Sequence, residues 1–292
     1  MSYQSIFRPD LFAGQTVVVT GGGSGIGRCT AHELAALGAE VAIVGRNPDK
    51  LAAVKEELVG DGGRVSTHSA DIRDEVAVAA VVDQILAEHG RIDGLFNNAG
   101  GQYRAALDTI TTKGFEAVVR NNLTGGFIVM REVYTKWMRD HGGSVVNMIA
   151  DIWYGWPHFA HSAASRGGML TLSESAATEW AAAGVRVNTI APGSVASSGL
   201  DTYDSKDTEF IQNQVAREIP LQRFGTEAEV SAGVVFLLSP AASFITGTCL
   251  RVDGGAPNAK PGWWELAPAQ NNEPFNGFHR AQLPVILRQP AS

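Results

Sequence analysis

Thr20-Gly21-Gly22-Gly23-Ser24-Gly25-Ile26-Gly27 is the stretch that decides the fold. The apolar, β-branched run Val17-Val18-Val19 precedes it and reads as a strand buried on both faces. Behind it Ile26, Thr30, Leu34 and Leu37 recur at helical spacing until Gly38 stops the pattern. The glycines therefore sit at a strand-to-helix turn. There the missing side chains let the backbone turn tightly and let an anionic group approach bare N–H donors, and the helix N-terminus adds partial positive charge. Gly21, Gly23, Ser24, Gly25, Ile26 and Gly27 are the expected phosphate cradle.

The same alternation continues along the chain. Val41-Ala42-Ile43-Val44 reads as a second buried strand, Asn47 as an N-cap with Pro48 behind it, and Leu51, Val54 and Leu58 as the stripe of the next helix. A strand near Arg64 to Ser69, a helix carrying Val78 to Leu86, and a strand from Ile92 to Phe96 that runs into Asn97-Asn98-Ala99-Gly100 follow. A helical region spans roughly Thr111 to Asp140 and contains Gly125-Gly126, which suggests close backbone packing against another subunit, or a local kink. Then come a strand from Ser144 to Met148, a loop to Ala160, a helix from about Ser162 to Ala182, and a strand from Val185 to Ile190 that closes on Ala191-Pro192-Gly193. Ser194 to Gly225 reads as a substrate lid or a surface excursion, Thr226 as a helix cap, and Thr248 to Val252 as a final strand. Strands alternating with helices mean βαβ units and a parallel sheet.

The residue after the second strand bears on the cofactor. A carboxylate there would hold the ribose hydroxyls of NAD. This chain has Gly45 and then Arg46, a guanidinium suited to a 2′-phosphate, so NADP(H) is expected. Asp71 is expected either to accept from the adenine amino group or to cap the helix that follows.

Composition sets outer limits. At 292 residues, 45% of them hydrophobic, and with no linker before about residue 255, a single large domain is expected. The formal charge of -7 argues against nucleic acid or an anionic membrane surface as partner. No apolar run reaches the ~20 residues that span a bilayer. Met1 to Asp10 lacks the pattern of a signal peptide and the chain lacks a peroxisomal tripeptide at Pro290-Ala291-Ser292, so a cytoplasmic protein is expected. Cys29 and Cys249 form no metal-ligand cluster and read as reduced thiols, and no metal is expected.

Taken together, the glycine-rich turn, Asn97-Asn98-Ala99-Gly100, Asn122, Arg186-Val187-Asn188, Pro192-Gly193 and Asp253-Gly254-Gly255 resemble the short-chain dehydrogenase/reductase family across about residues 14 to 256. The resemblance implies a doubly wound Rossmann sheet of seven parallel strands over residues 1–255, a nicotinamide cofactor and a homotetramer. It also implies cofactor contacts at Asn97, Ala99, Gly100, Pro192, Gly193, Val195 and Ser197. Residues 256–292 fall outside the match. Their aromatic and proline content suggests packing on a neighbouring subunit or over a substrate mouth, with disorder as the alternative.

The family's catalytic signature is a Tyr with a Lys one helical turn later and a Ser upstream. In this chain Ser162 stands where the Tyr is expected and Arg166 where the Lys is expected, and the upstream Ser falls near Ile149 or Ala150. Asn122 alone survives. Neither a serine nor a guanidinium titrates near neutrality, which argues against ordinary alcohol–ketone interconversion. The closest branch by resemblance is that of the peroxisomal trans-2-enoyl-CoA and 2,4-dienoyl-CoA reductases, which replace the same Tyr with Ser. Reduction of an activated C=C bond leaves an enolate that hydrogen-bond donors alone can stabilise. The donors expected are Ser162, Asn122 and a phenol, either Tyr154 or Tyr103, with Arg166 on the nicotinamide ribose. His158 and His161 are further candidates for proton delivery, and Asp151 a weaker one. Three readings stand open: an NADPH-dependent reductase of an enoyl thioester such as an acyl-CoA, a carbonyl or secondary-metabolite reductase with a non-standard proton donor, and a non-catalytic NADP(H)-binding protein.

Overall fold

The three consecutive valines of the first strand already divide the core. Val17 and Val19 pack on one side of the sheet with residues of the first, second and last helices, and Val18 packs on the other with residues of the third and fifth. The period of two along a strand sends alternate side chains to opposite faces, and both faces are covered by helices. The computed structural model describes residues 2–202, 211–259, 266 and 268–288.

Seven strands, β1 (Thr16–Thr20), β2 (Glu40–Gly45), β3 (Arg64–Ser69), β4 (Gly94–Asn97), β5 (Gly143–Met148), β6 (Val185–Pro192) and β7 (Cys249–Val252), form one sheet in the order β3-β2-β1-β4-β5-β6-β7. Every pairing is parallel. Helices α1 (Gly25–Ala36), α2 (Pro48–Gly60) and α3 (Glu75–His89) connect the first four strands. The strand order reverses between β1 and β4. Their C-terminal ends therefore part at a crevice, the place where open α/β sheets bind ligands.

Local chemistry fixes the helix starts. Asn47 accepts a hydrogen bond from the Lys50 amide with Pro48 at the first position of α2, as its sequence reads. Thr226 opens α8 (Glu227–Leu238) with a reciprocal capping box to Glu229. Asp74 caps α3, so the alternative role considered for Asp71 as that cap is corrected: Asp71 instead takes the fork of Arg73.

The long helical region is α4 (Thr112–Val119), a π-helical turn (Arg120–Thr124), α5 (Gly125–Val133), a second π turn (Tyr134–Met138) and the short α6 (Arg139–His141). The close packing expected at Gly125-Gly126 is found inside the same chain. A side chain at Gly125 would stand 2.9 Å from Ile72, and one at Gly126 would stand 2.6 Å from Met169 Cε. Helix α7 (Ala160–Trp180) follows β5.

The described part of the C-terminal segment packs on its own chain. Phe278 and Phe275 join Tyr3, Cys29 and Ala228 in a small cluster behind α1 and α8. Thr226 Oγ1 donates to Phe275 O, and Arg280 forks Asp61 at the end of α2. Further on, Ile286 N donates to Asp201 Oδ1 at 3.1 Å and its carbonyl accepts from Gln212 Nε2, which ties the segment to both described flanks of the expected lid. Trp263, Trp264 and the middle of the lid lie outside the described residues.

Candidate active site

The crevice between β1 and β4 is held by Thr20. Its hydroxyl accepts from the backbone amides of Asn98 and Ala99, each at 2.9 Å, and its carbonyl accepts from Asn98 Nδ2. Sequence reading gives neither Thr20 nor Asn98 a role. The signal was a hydroxyl at the end of one strand and an amide at the end of the next, legible only once the two strands are neighbours.

Above this tie the glycines form the cradle. Gly21 and Gly25 have φ of +70° and +55°, a region that favours glycine. A Cβ on Gly27 would strike the Gly21 carbonyl and stand 2.6 Å from Asn98 Nδ2, so the start of α1 and the turn touch backbone to backbone. Gly23 lies against Lys50, and Ile26 is half-buried beneath the turn. Ser24 is exposed and its hydroxyl does not cap α1, which leaves it and the first amides of the helix open to an anion. These features suit the pyrophosphate of a dinucleotide. Glu227, at the start of α8, brings Oε1 to 3.8 Å from where a Gly25 side chain would begin. Burial pushes its carboxyl up to about 7 against the opposing pull of Arg28.

At the end of β2, Arg46 is exposed and its guanidinium has no hydrogen-bond partner among the described residues. Asp71 lies near enough to feel its charge, yet the Arg73 fork already holds that carboxyl down at about 2. Asn97 braces the sheet at this crevice: its Nδ2 donates to Gly126 O and to Asn147 Oδ1, and its Oδ1 accepts from the Thr20 hydroxyl at 3.4 Å. At the end of β6, Pro192 accepts from the Asp151 amide and Gly193 packs against Asp253. Val195 bridges to Gly225, and Ser197 N donates to Val195 O.

The chemical end gathers around Gly100. A side chain there would meet Arg166 Nη2 at 2.5 Å and Asn122 Oδ1 at 2.9 Å, so three elements converge on one glycine. Asn122 rides on the π-helical turn, a distortion that often marks a functional position. Gly101 N donates to Asn122 Oδ1 at 2.8 Å; this sets the amide orientation and leaves Nδ2 buried without a partner. Arg166 lies one turn after Ser162 on α7. Its Nη1 donates to Met148 O at 2.6 Å, its Nε has no partner, and burial pulls its pKa down to about 10. Ser162 is fully buried with an unpartnered hydroxyl. His161 Nδ1 accepts from Ser162 N, so Nε2 carries the proton and is likewise unpartnered. Asp151 is half-buried, with Oδ1 unpartnered, and its carboxyl is raised first by burial and then by Asp253.

The two tyrosines separate. Tyr103 packs edge-on against His161 with ring centroids 4.5 Å apart. Tyr154 sits at φ +68° with 83% of its surface exposed and does not join the buried donors. His158 has positive φ in the same loop.

Comparison with known proteins gives the class. Residues 21–257 match the family model described as enoyl-(acyl carrier protein) reductase. A peroxisomal 2,4-dienoyl-CoA reductase of Danio rerio is 36% identical over 87% of this chain and 85% of its own. The solved structure of a citronellol catabolism dehydrogenase, AtuB of Pseudomonas aeruginosa, is 53% identical with a TM-score of 0.79, covering 87% of this chain and all of that one. A putative NAD(P)-dependent gluconate 5-dehydrogenase from Beutenbergia cavernae, solved with NADP at low occupancy, is 33% identical with a TM-score of 0.77 over 85% of this chain and 99% of its own. The chain belongs to the short-chain dehydrogenase/reductase family, and it is an oxidoreductase built to bind a nicotinamide cofactor.

Proposed function

We propose that the protein is an NADPH-dependent reductase of a C=C bond conjugated to a thioester, in an enoyl- or dienoyl-CoA. The observation that carries this reading is the set of buried donors without acceptors: Asn122 Nδ2, Ser162 Oγ, Arg166 Nε and His161 Nε2–H. Buried polar groups are nearly always paired, and a group of unpaired donors fits a ligand oxygen that carries negative charge.

When bound, the cofactor supplies a hydride to the activated alkene. The negative charge that this places on the thioester oxygen is met by the Ser162 hydroxyl and the Asn122 amide, neither of which must lose a proton. Arg166 keeps the field positive beside Gly100 and would hold the ribose hydroxyls. Ser162 and Arg166 stand where the family has its Tyr and Lys, so the usual phenolic acid is replaced; His161 Nε2–H is a further hydrogen-bond donor for the enolate oxygen, and the proton that returns to carbon comes from water. At the other end, Arg46 would hold the 2′-phosphate, and the adenine would lie near Asp71. A homotetramer belongs to the same reading, by resemblance to the family; light scattering of the purified protein tests the assembly.

The 53% identity to a citronellol catabolism dehydrogenase favours a second reading, oxidoreduction of a citronellol-like alcohol or its carbonyl. Steady-state oxidation of NADPH separates the two. Turnover with trans-2-enoyl- or 2,4-dienoyl-CoA and little with aldehydes or ketones is expected; the reverse preference would replace the first reading by the second. Tight NADPH binding with no turnover on either class would leave a non-catalytic binding protein.

A further inference from the structure

Away from the crevice, His279 in the C-terminal segment meets two side chains from the first part of the chain, His32 in the middle of α1 and Asp61 just past α2. Asp61 Oδ2 stands 3.4 Å from His32 Nδ1 and 3.0 Å from His279 Nε2. One ligand atom from each residue lies within 4.8 Å of the other two. Donors at a zinc-type distance from a tetrahedral centre are about 3.3 Å apart, close to the two separations from Asp61 Oδ2. The side chains of His32, His279 and Asp61 are 1%, 10% and 14% exposed.

The protons are what single this cluster out from an ordinary ion-pair network. His32 Nε2 is 3.1 Å from Glu57 Oε2, and Glu57 is held ionised by the Arg28 fork. A neutral imidazole that donates from Nε2 presents a lone pair at Nδ1, and here that lone pair faces the Asp61 carboxylate, acceptor against acceptor. His279 has neither ring nitrogen in a hydrogen bond, although it is nine-tenths buried and aimed at the same oxygen. Glu57 orients His32, and Arg280 forks Asp61, with Nη2 on Oδ1 at 2.9 Å and Nε on Oδ2 at 3.2 Å, which leaves Oδ2 shared between the guanidinium and the ion.

We propose that His32 Nδ1, His279 Nε2 and Asp61 bind one divalent transition-metal ion, zinc first, and that the ion pins the C-terminal segment to α1 and α2. Two imidazoles and a carboxylate without a thiolate suit Zn²⁺, Co²⁺ or Ni²⁺ over Mg²⁺ or Ca²⁺. Its role is structural: beside His279, Phe278 is 2% exposed and closes over Tyr3 and Cys29. The proposal does not depend on the substrate assigned above.

The test is titration of tag-free, chelator-treated full-length protein with zinc chloride by calorimetry and with cobalt chloride by visible absorption. One equivalent of zinc per chain and the d–d bands of a low-coordinate cobalt are expected. H279Q and D61N should each weaken zinc by about tenfold or more. H89Q, in the separate His68–Glu88–His89 cluster, should leave the isotherm unchanged. Absence of saturable zinc and cobalt binding by the wild-type chain would overturn the proposal, as would an unaltered isotherm in folded H279Q. The wild-type cobalt spectrum decides the matter even where a variant does not fold.

Discussion

The backbone N–H of Ser162 donates to His161 Nδ1 across 2.9 Å, and that one bond fixes which nitrogen of a fully buried histidine carries a proton. His161 is thereby a donor at Nε2, beside the edge of Tyr103 and next in sequence to the unpartnered Ser162 hydroxyl. Replacing it with phenylalanine keeps a ring against Tyr103 and removes the N–H. By removing one hydrogen-bond donor to the enolate oxygen, His161→Phe should lower kcat about 10- to 100-fold while leaving the NADPH Kd nearly unchanged. Single-turnover kinetics alongside fluorescence titration of NADPH would measure both. An unaltered kcat would remove His161 from the chemistry.

On the proposed reading Ser162→Ala deletes a buried, unpartnered donor to the developing oxyanion. Losses of about 10²- to 10³-fold in kcat are usual for one such donor. The same assay should find Tyr154→Phe within about twofold of wild type, because a side chain that is 83% exposed does not share the buried cluster. A large effect of Tyr154→Phe with none from Ser162→Ala would invert this assignment.

Arg46 should discriminate between the two nicotinamide dinucleotides. A hydrogen bond to a charged group contributes about 1.5–3 kcal/mol, so Arg46→Ala should weaken NADPH about 10- to 100-fold. Binding of NADH, which lacks the 2′-phosphate, should change little. Equal losses for both, measured by calorimetry, would count against the 2′-phosphate role.

Glu227 predicts a pH dependence of stability. Its carboxyl titrates near 4.5 when free and near 7 when buried in the fold. Below the lower value both states are protonated and stability is undiminished. As pH rises towards about 7 the unfolded chain ionises first, so stability is progressively lost and then levels off. Glu227→Gln abolishes that loss, on the order of 2–3 kcal/mol. The gap in Tm between variant and wild type should therefore widen across this interval and stay constant above it. A gap independent of pH would show that the carboxyl is not buried as described.

Much of this architecture is legible in the sequence because it rests on local signals. Apolar triplets such as Val17-Val18-Val19 announce strands covered on both sides, and Asn47-Pro48 and Thr226 announce helix starts. The glycine turn is legible because its residues are contiguous. What escaped depends on partners far away in the chain. Gly125-Gly126 reads as close backbone packing, but its partners, Ile72 and Met169, cannot be told from a second subunit until the fold is seen. The bracing of the sheet by the Asn97 amide on Asn147 and Gly126 is likewise invisible until those strands and helices are neighbours. Tyr154 reads as a phenolic donor, but its backbone lies in the left-handed region and its ring points to solvent. No spacing rule joins His32, Asp61 and His279; only the return of the C-terminal segment behind α1 does so.

The most direct test of the central claim is the fate of label from NADPH carrying deuterium at the transferable position of the nicotinamide. With a trans-2-enoyl- or 2,4-dienoyl-CoA, mass spectrometry should find one deuteron on a former alkene carbon of the product, with the thioester intact. Label appearing only on the carbinol carbon of a reduced aldehyde or ketone, with none transferred to either thioester, would contradict the account.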